Sequence, residues 1–153
     1  MKKALLSVAA CAMSAACLIS ASACSGNSGA KLKVIDIELT SEEYAFAVSK
    51  NNGELLDKIN GFLAEWKNDG SLDALINSYF SGEADFSYTN KTASAQSNDF
   101  VVATNAYFPP FESYNDNSAF VGVDIEIAYN IAKKLGKTLY ISDMDFDSII
   151  PNV

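Results

Sequence analysis

Apolar residues recur at helical spacing in two stretches of the first half of the chain. Between residues 55 and 66 they form one stripe, preceded by Asn52 and Gly53 and followed by the sequence KNDG. Between residues 72 and 80 they form a second stripe, for which Ser71 is a suitable N-cap and Gly82 a suitable stop. The pattern therefore predicts two consecutive amphipathic helices.

Alternation and runs of β-branched residues predict the strands. Residues 32–37 (LKVIDI) and 42–48 (EEYAFAV) alternate, which predicts two short strands before the helices. Residues 99–104 (DFVVAT) are rich enough in valine to predict a strand buried on both faces, as in a parallel sheet. A further strand is predicted over residues 138–142 (TLYIS). Residues 83–98 contain few large apolar side chains, and they are predicted to be a linker.

Turn and cap residues complete the second half. Residues 114–120 (YNDNSAF) carry the Asn and Asp of a turn between two short extended pieces, and Gly122 is interpreted as a backbone requirement at the end of this hairpin. Asp124 is the predicted N-cap of a helix that Gly136 ends. Residues 145–153 predict the first turns of another helix, in which Pro151 is tolerable if it falls within the opening turn. Strands and helices alternate here, so we expect an α/β architecture with a mostly parallel sheet and flanking helices.

The N-terminus has the layout of an export signal. Lys2 and Lys3 precede an apolar run from residue 4 to about residue 19, which is shorter than the ~20 residues of a membrane-spanning helix. Residues 21–24 (ASAC) resemble a bacterial lipobox, and Cys24 is the predicted lipidated residue. The alternatives are lipidation at Cys17, or ordinary cleavage that leaves Cys24 as a free thiol. We expect a signal peptide over 1–23 and a tether over 24–31.

The charge balance excludes some classes of partner. The formal net charge is −8, and it becomes −10 once Lys2 and Lys3 are removed with the signal. An acidic surface argues against nucleic acid and against anionic membranes, so contact with the membrane is expected only through the lipid anchor. The three cysteines lie within or at the edge of the signal, which leaves no disulfide framework.

Three linked motifs resemble a known family. Residues 101–112 (VVATNAYFPPFE), 120–136 (FVGVDIEIAYNIAKKLG) and 144–151 (MDFDSIIP) are similar, in order and spacing, to the beginning of the bacterial extracellular solute-binding proteins of family 3, the polar amino-acid receptors of ABC importers. Residues 32–82 look like the end of the same family. Segments 32–82 and 99–153 therefore stand in inverted order, joined by the linker 83–98, and the second segment looks truncated.

The resemblance implies an incomplete lobe of the type II periplasmic-binding-protein fold. It also implies an exported lipoprotein, at the cell surface or in the periplasm, that binds an amino acid, docks on an ABC transporter permease and uses no cofactor. Phe108 and Phe146 match the family's two aromatic walls around the ligand side chain, and Asn105 takes the place of a polar residue, often Asp, that reads this side chain. The amide favours a neutral or acidic polar amino acid. The alternatives are that Phe108 and Phe146 are core residues and that Asn105 only forms a local Asx turn.

The sequence also leaves alternatives to a working amino-acid receptor. The resemblance implies that an arginine holds the ligand carboxylate, but the sequence contains no arginine, so we expect an incomplete copy that binds weakly or not at all. A truncated, non-binding fragment of a tandem receptor is the alternative. A periplasmic dehydratase or sensor-domain relative is a third reading, in which Glu112 or Glu126 would need a perturbed pKa to act as an acid. Asp143, Asp145 and Asp147 mimic a calcium loop, but Ser148 stands where that loop needs Gly, so no metal site is expected. We expect no enzymatic activity.

Overall fold

The computed structural model describes Ile37 and residues 43–153. The predicted signal peptide, the tether, Cys24 and nearly all of the predicted strand over 32–37 lie outside the described residues. Residues Tyr44–Val153 form one compact unit. Its elements are, in order, α1 (Gly53–Asp69), α2 (Ser71–Ser81), β1 (Phe100–Thr104), β2 (Ser113–Tyr114), β3 (Phe120–Val121), α3 (Val123–Lys134), β4 (Leu139–Asp143) and α4 (Phe146–Asn152). Within the described residues, no helix combines the length and the apolar character that crossing a membrane requires.

The central sheet is a parallel pair of strands. β1 pairs with β4 in a register that sets Phe100 opposite Leu139 and Thr104 opposite Asp143, and the connection between them runs through the β2–β3 hairpin and α3. Parallel strands need such a crossover, because a tight turn can join only antiparallel neighbours. The expected α/β class with a parallel sheet is confirmed. The expectation that β1 is buried on both faces is wrong, since Val101 is 50% exposed. A two-stranded sheet with a helix on one face leaves outward-pointing residues in solvent.

Helix α3 organises the core because it is buried on two sides. Ile125, Ala128 and Ala132 pack with Leu139 and Ile141 of β4. A second set on the same helix packs against apolar residues of α1 and α2, and its members are Val123, Ile127 and Ile131. The buried surface of α3 is therefore wider than one apolar stripe. The N-terminal helix pair and the sheet are held together through α3.

Four local expectations are corrected by the structure. Residues 43–49 are irregular and show no strand pairing in the described part of the chain, and the Tyr44 ring packs on Phe111 instead. Gly70, with φ of 80°, ends α1 and caps α2, so Ser71 is already helical. Gly122 likewise takes the N-cap position that was assigned to Asp124. Pro151 lies beyond the opening turn of α4, close to the end of that seven-residue helix, where few backbone bonds depend on its missing N–H.

The predicted linker is a loop, but it is fixed to the sheet. Tyr88 is only 8% exposed and exchanges two backbone hydrogen bonds of 2.8 Å with Phe120, while its hydroxyl donates to the Leu139 carbonyl oxygen. The Asn90 side chain accepts from the Ile141 amide and donates to the Ile141 carbonyl oxygen, both at 2.8 Å. Polar residues in this stretch therefore replace strand pairing along the free side of β4.

Candidate functional site

The carboxyl ends of β1 and β4 form the edge where parallel α/β sheets hold ligands. Met144, directly after β4, donates its backbone N–H to the Thr104 carbonyl oxygen at 2.9 Å. Asn105, directly after β1, donates from its amide Nδ2 to the Met144 carbonyl oxygen at 3.0 Å. The two strand ends are thus tied to each other across the sheet. This bond uses the amide nitrogen of Asn105 and joins two separate elements, which a local Asx turn would not do.

The elbow over residues 107–112 presents an aromatic ring at the same edge. The Pro109-Pro110 peptide bond is cis, and Phe108 donates its N–H to the Glu112 carbonyl oxygen at 2.8 Å. The Phe108 ring is 52% exposed and is backed by the Phe111 ring, with centroids 5.4 Å apart and an interplanar angle of 13°. Tyr44 and Phe80 also contact Phe111. Phe111 is therefore the hub that holds Phe108 in place while leaving one of its faces open.

Gly122 allows the elbow to approach the start of α3. Its φ is +131°, and a Cβ at this position would lie 2.1 Å from the Phe111 carbonyl oxygen, which is far inside contact distance. That same oxygen accepts from the Asp124 N–H at 3.0 Å, and the Pro110 oxygen accepts from the Val123 N–H at 3.0 Å. The first free amides of the helix are thereby satisfied by the elbow. The prediction that Gly122 is a backbone requirement is confirmed.

Two acidic side chains lie beneath the elbow. Burial, together with the nearby Asp124 carboxylate, raises the pKa of Glu112 to about 7. Burial raises the pKa of Asp124 to about 6. The Glu112 Oε2 atom is buried and has no hydrogen-bond partner among the described residues, while Thr104 is the buried polar neighbour that lowers the pKa of Glu112. The two carboxyl groups are consequently hard to ionise together.

Asp143 also lies at this edge, and the sequence indicated it only as part of a calcium-loop pattern. Its Oδ1 accepts from the Ala106 N–H at 2.9 Å, and its Oδ2 accepts from the Tyr114 hydroxyl at 3.0 Å. Burial and this bond to the carboxylate raise the pKa of Tyr114 to about 12. Asp143 thereby links the end of β4 to the start of the elbow and to the hairpin. Among the described residues no group of side chains is arranged to hold a metal ion. The signal that could have revealed Asp143 is its place at the end of a strand parallel to β1.

The three residues predicted to bind ligand all lie at this edge. Asn105 follows β1, Phe108 lies in the elbow, and Phe146, which is 74% exposed, opens α4 just after β4. The alternative that both rings fill the core does not hold at these exposures. Phe108 and Phe146 make no ring contact with each other in the described part of the chain. The edge thus carries two separate, solvent-facing rings and a fixed amide, and their role in binding is taken up below as a proposal.

The carboxyl edge of a parallel sheet is the place where α/β proteins hold ligands. The family described as bacterial extracellular solute-binding proteins, family 3, matches residues 100–153. The resemblance expected from the three motifs is therefore confirmed over this segment. This is a solute-binding family.

Curated relatives match part of the protein. The probable ABC transporter arginine-binding protein ArtJ of Chlamydia trachomatis is 44% identical over 59 residues, which is 39% of this chain and 23% of the relative. The arginine-binding extracellular protein ArtP of Bacillus subtilis is 42% identical over 50 residues, 33% of this chain and 19% of the relative. The chain thus spans about a fifth to a quarter of the length of these relatives.

Solved structures also match. The arginine-bound form of domain 1 from TmArgBP is 44% identical, with a TM-score of 0.35, over 36% of this chain and 44% of that one. An ancestral arginine-binding protein bound to glutamine is 46% identical, with a TM-score of 0.35, over 37% of this chain and 25% of that one.

Proposed function

We propose that this protein is an amino-acid-binding component of an ABC importer and that it carries the first-lobe side of the ligand site. The observation that supports this most is the pair of exposed rings, Phe108 and Phe146, which follow the tied strands β1 and β4 in the segment that matches the family. Large rings at 52% and 74% exposure remain in contact with water unless a ligand or partner covers them. An amino-acid side chain between two such rings gains contact area at little cost in rotamer entropy.

We propose arginine as the ligand. The relatives named above are called arginine-binding proteins, and the chain is strongly acidic, with a net charge of −8. A guanidinium group stacks well on aromatic faces, which suits Phe108 and Phe146. The amide Nδ2 of Asn105 is already used in the bond to Met144, so Asn105 acts first as a support. The neutral or acidic ligand expected from the Asn105 amide is the opposing prediction, and one titration separates the two.

The affinity of the chain for a free amino acid is expected to be low. No arginine is present in the sequence to hold the ligand carboxylate, and a ligand charge buried without its partner loses about 2 to 5 kcal/mol of binding free energy. This corresponds to a loss of tens- to thousands-fold in affinity. The incomplete copy inferred from the sequence remains part of this proposal, and so does the inverted order of segments 32–82 and 99–153.

Export and anchoring complete the proposal. The charged start, apolar run and ASAC sequence support a signal peptide over 1–23 with lipidation at Cys24, and the permease is the proposed docking partner of the ligand-bound form. No reaction is assigned to the protein. Labelling with a radioactive fatty acid in a bacterial host tests the anchor, with Cys24→Ser expected to abolish the label and Cys17→Ser expected to retain it.

The binding proposal is tested by titrating the purified chain with arginine, glutamine and glutamate while recording NMR chemical shifts, which detect millimolar binding. We expect arginine to bind most tightly, with shifts centred on Asn105, Phe108 and Phe146. Phe108→Ala should weaken binding, whereas Leu56→Ala, which removes an exposed apolar side chain from α1, should not. Preferential binding of glutamate would overturn the choice of arginine, and a flat titration with all three ligands would overturn the binding function of this chain.

A further inference from the structure

We propose that Asp143 is a specificity-determining residue of the amino-acid site, whose carboxylate supplies the negative charge that selects a cationic ligand side chain. This inference rests on the proposed function. Asn105 contributes only a neutral amide at the edge. The carboxylate that distinguishes charged from uncharged ligands therefore lies on the strand next to Asn105.

The position of Asp143 places its carboxylate inside the candidate site. Asp143 is the last residue of β4 and the register partner of Thr104, the residue before Asn105. Its Oδ1 lies 2.9 Å from the backbone nitrogen of Ala106, the residue after Asn105. Phe146 follows Asp143 by three residues along the chain. The carboxylate is therefore bonded to the backbone directly after Asn105, at the edge of the sheet that also carries Phe146.

The carboxylate is held in place but is not neutralised. The Ala106 N–H and the Tyr114 hydroxyl each donate one hydrogen bond to it, and a carboxylate can accept about four. Both ion pairs found among the described residues involve other acids, Glu54 and Glu65, so no lysine there pairs with Asp143. Asp143 is also exposed to solvent. A charge that is fixed, accessible and without a counter-ion is suited to accept hydrogen bonds from a ligand cation.

Arginine and citrulline are the probes that isolate this charge, because citrulline has nearly the shape of arginine but an uncharged end group. We expect the wild-type chain to prefer arginine. Asp143→Asn keeps the size of the side chain and removes its charge, so it should weaken arginine binding about five- to tenfold, or about 1 to 1.4 kcal/mol, and leave citrulline within about twofold.

The matched control is Tyr114→Phe, which removes the hydrogen bond to Oδ2 but leaves the charge. It should change the affinities for both ligands in parallel and keep their ratio. The arginine preference of the wild-type chain should also shrink in about 0.5 M NaCl, because salt screens exposed charges, while citrulline binding should hardly change.

Two results would overturn the inference, and they are distinguishable. If both ligands bind and Asp143→Asn weakens them equally, the residue acts only as a support and the charge assignment is wrong, while the proposed function stands. If neither ligand binds to the wild-type chain, the proposed function fails and the inference fails with it. Circular dichroism spectra of the variants check that each one folds.

Discussion

Replacing Glu112 by glutamine should remove a pH-dependent loss of stability. The pKa of Glu112 is raised from its ordinary value of 4.5 to about 7, first by burial and second by the charge of Asp124. Because the folded state binds this proton more tightly than the unfolded state, the stability it contributes is fully present below pH 4.5. It is lost as the pH rises through 7. Asp124, with a pKa raised to about 6, acts in the same direction at lower pH.

The size of the effect follows from the shift and the exposure of the group. Each pKa unit corresponds to about 1.4 kcal/mol, so the full difference between 4.5 and about 7 would be about 3.4 kcal/mol. Glu112 is only partly buried, and solvent screening reduces this to about 1 to 2 kcal/mol. Glutamine keeps the shape of the side chain and stays neutral. Glu112→Gln should therefore have a flatter stability profile between pH 4.5 and about 7, and it should retain the fall between pH 3.8 and about 6 that Asp124 causes.

Urea unfolding at a series of pH values measures this profile, with Trp66 on α1, the single tryptophan of the chain, as the fluorescent probe. Wild type should lose about 1 to 2 kcal/mol more than Glu112→Gln between pH 4 and 8, with most of the loss between pH 4.5 and 7. Glu83→Gln, at an exposed loop position, is the control and should follow wild type. Parallel curves for wild type and Glu112→Gln would refute the reasoning.

Three further predictions concern stability, and urea unfolding at pH 7 checks each of them. Gly122→Ala should lower the free energy of unfolding by about 3 kcal/mol or more, because its Cβ would meet backbone atoms and its φ is +131°. Gly61→Ala within α1, where a Cβ meets nothing within 4 Å, should raise it by about 0.5 to 1 kcal/mol. A loss at Gly122 no larger than about 1 kcal/mol would contradict the close contact with Phe111. Ile125→Ala, at a side chain that is 1% exposed, should lower the free energy of unfolding by about 2 to 5 kcal/mol. Ile150→Ala, at an exposed position on α4, should lower it by less than about 0.5 kcal/mol. Equal losses would show that Ile125 is not in the core. Tyr79→Phe should lower the free energy of unfolding by about 1 to 2 kcal/mol, since the hydroxyl donates to Glu126 Oε2 at 2.8 Å. This loss should shrink in a Glu126→Ala background, which removes the acceptor, if that bond is its source.

The sequence predicted those parts of the fold that depend on local pattern. The apolar stripes located α1 and α2, because a helix repeats its buried face every three to four residues. The valine-rich run located β1, and the motif order indicated its parallel partner. The helix caps were predicted less well. Gly70 and Gly122 occupy the N-cap positions that were assigned to Ser71 and Asp124, because the backbone there has a positive φ that glycine adopts more easily than other residues.

The site was only partly predictable, because its polar contacts join residues far apart in the chain. Asn105 and the two rings were found from motifs that lie within short segments. The bonds of Asp143 reach residues 29 and 37 positions earlier, and no local pattern announces them. The alternation around Tyr44 wrongly predicted a strand. The Tyr44 ring packs on Phe111 without belonging to a sheet, and the local pattern of apolar residues does not distinguish the two cases.

The bidentate contact between the Asn90 side chain and the backbone of Ile141 has a consequence for self-association. Strand β4 pairs with β1 on one side, and an open backbone on its other side would be a template on which a second chain could add a strand. One amide side chain occupies both the donor and the acceptor of Ile141. Asn90 thereby occupies backbone groups of β4 through which a second chain would have to pair with this strand.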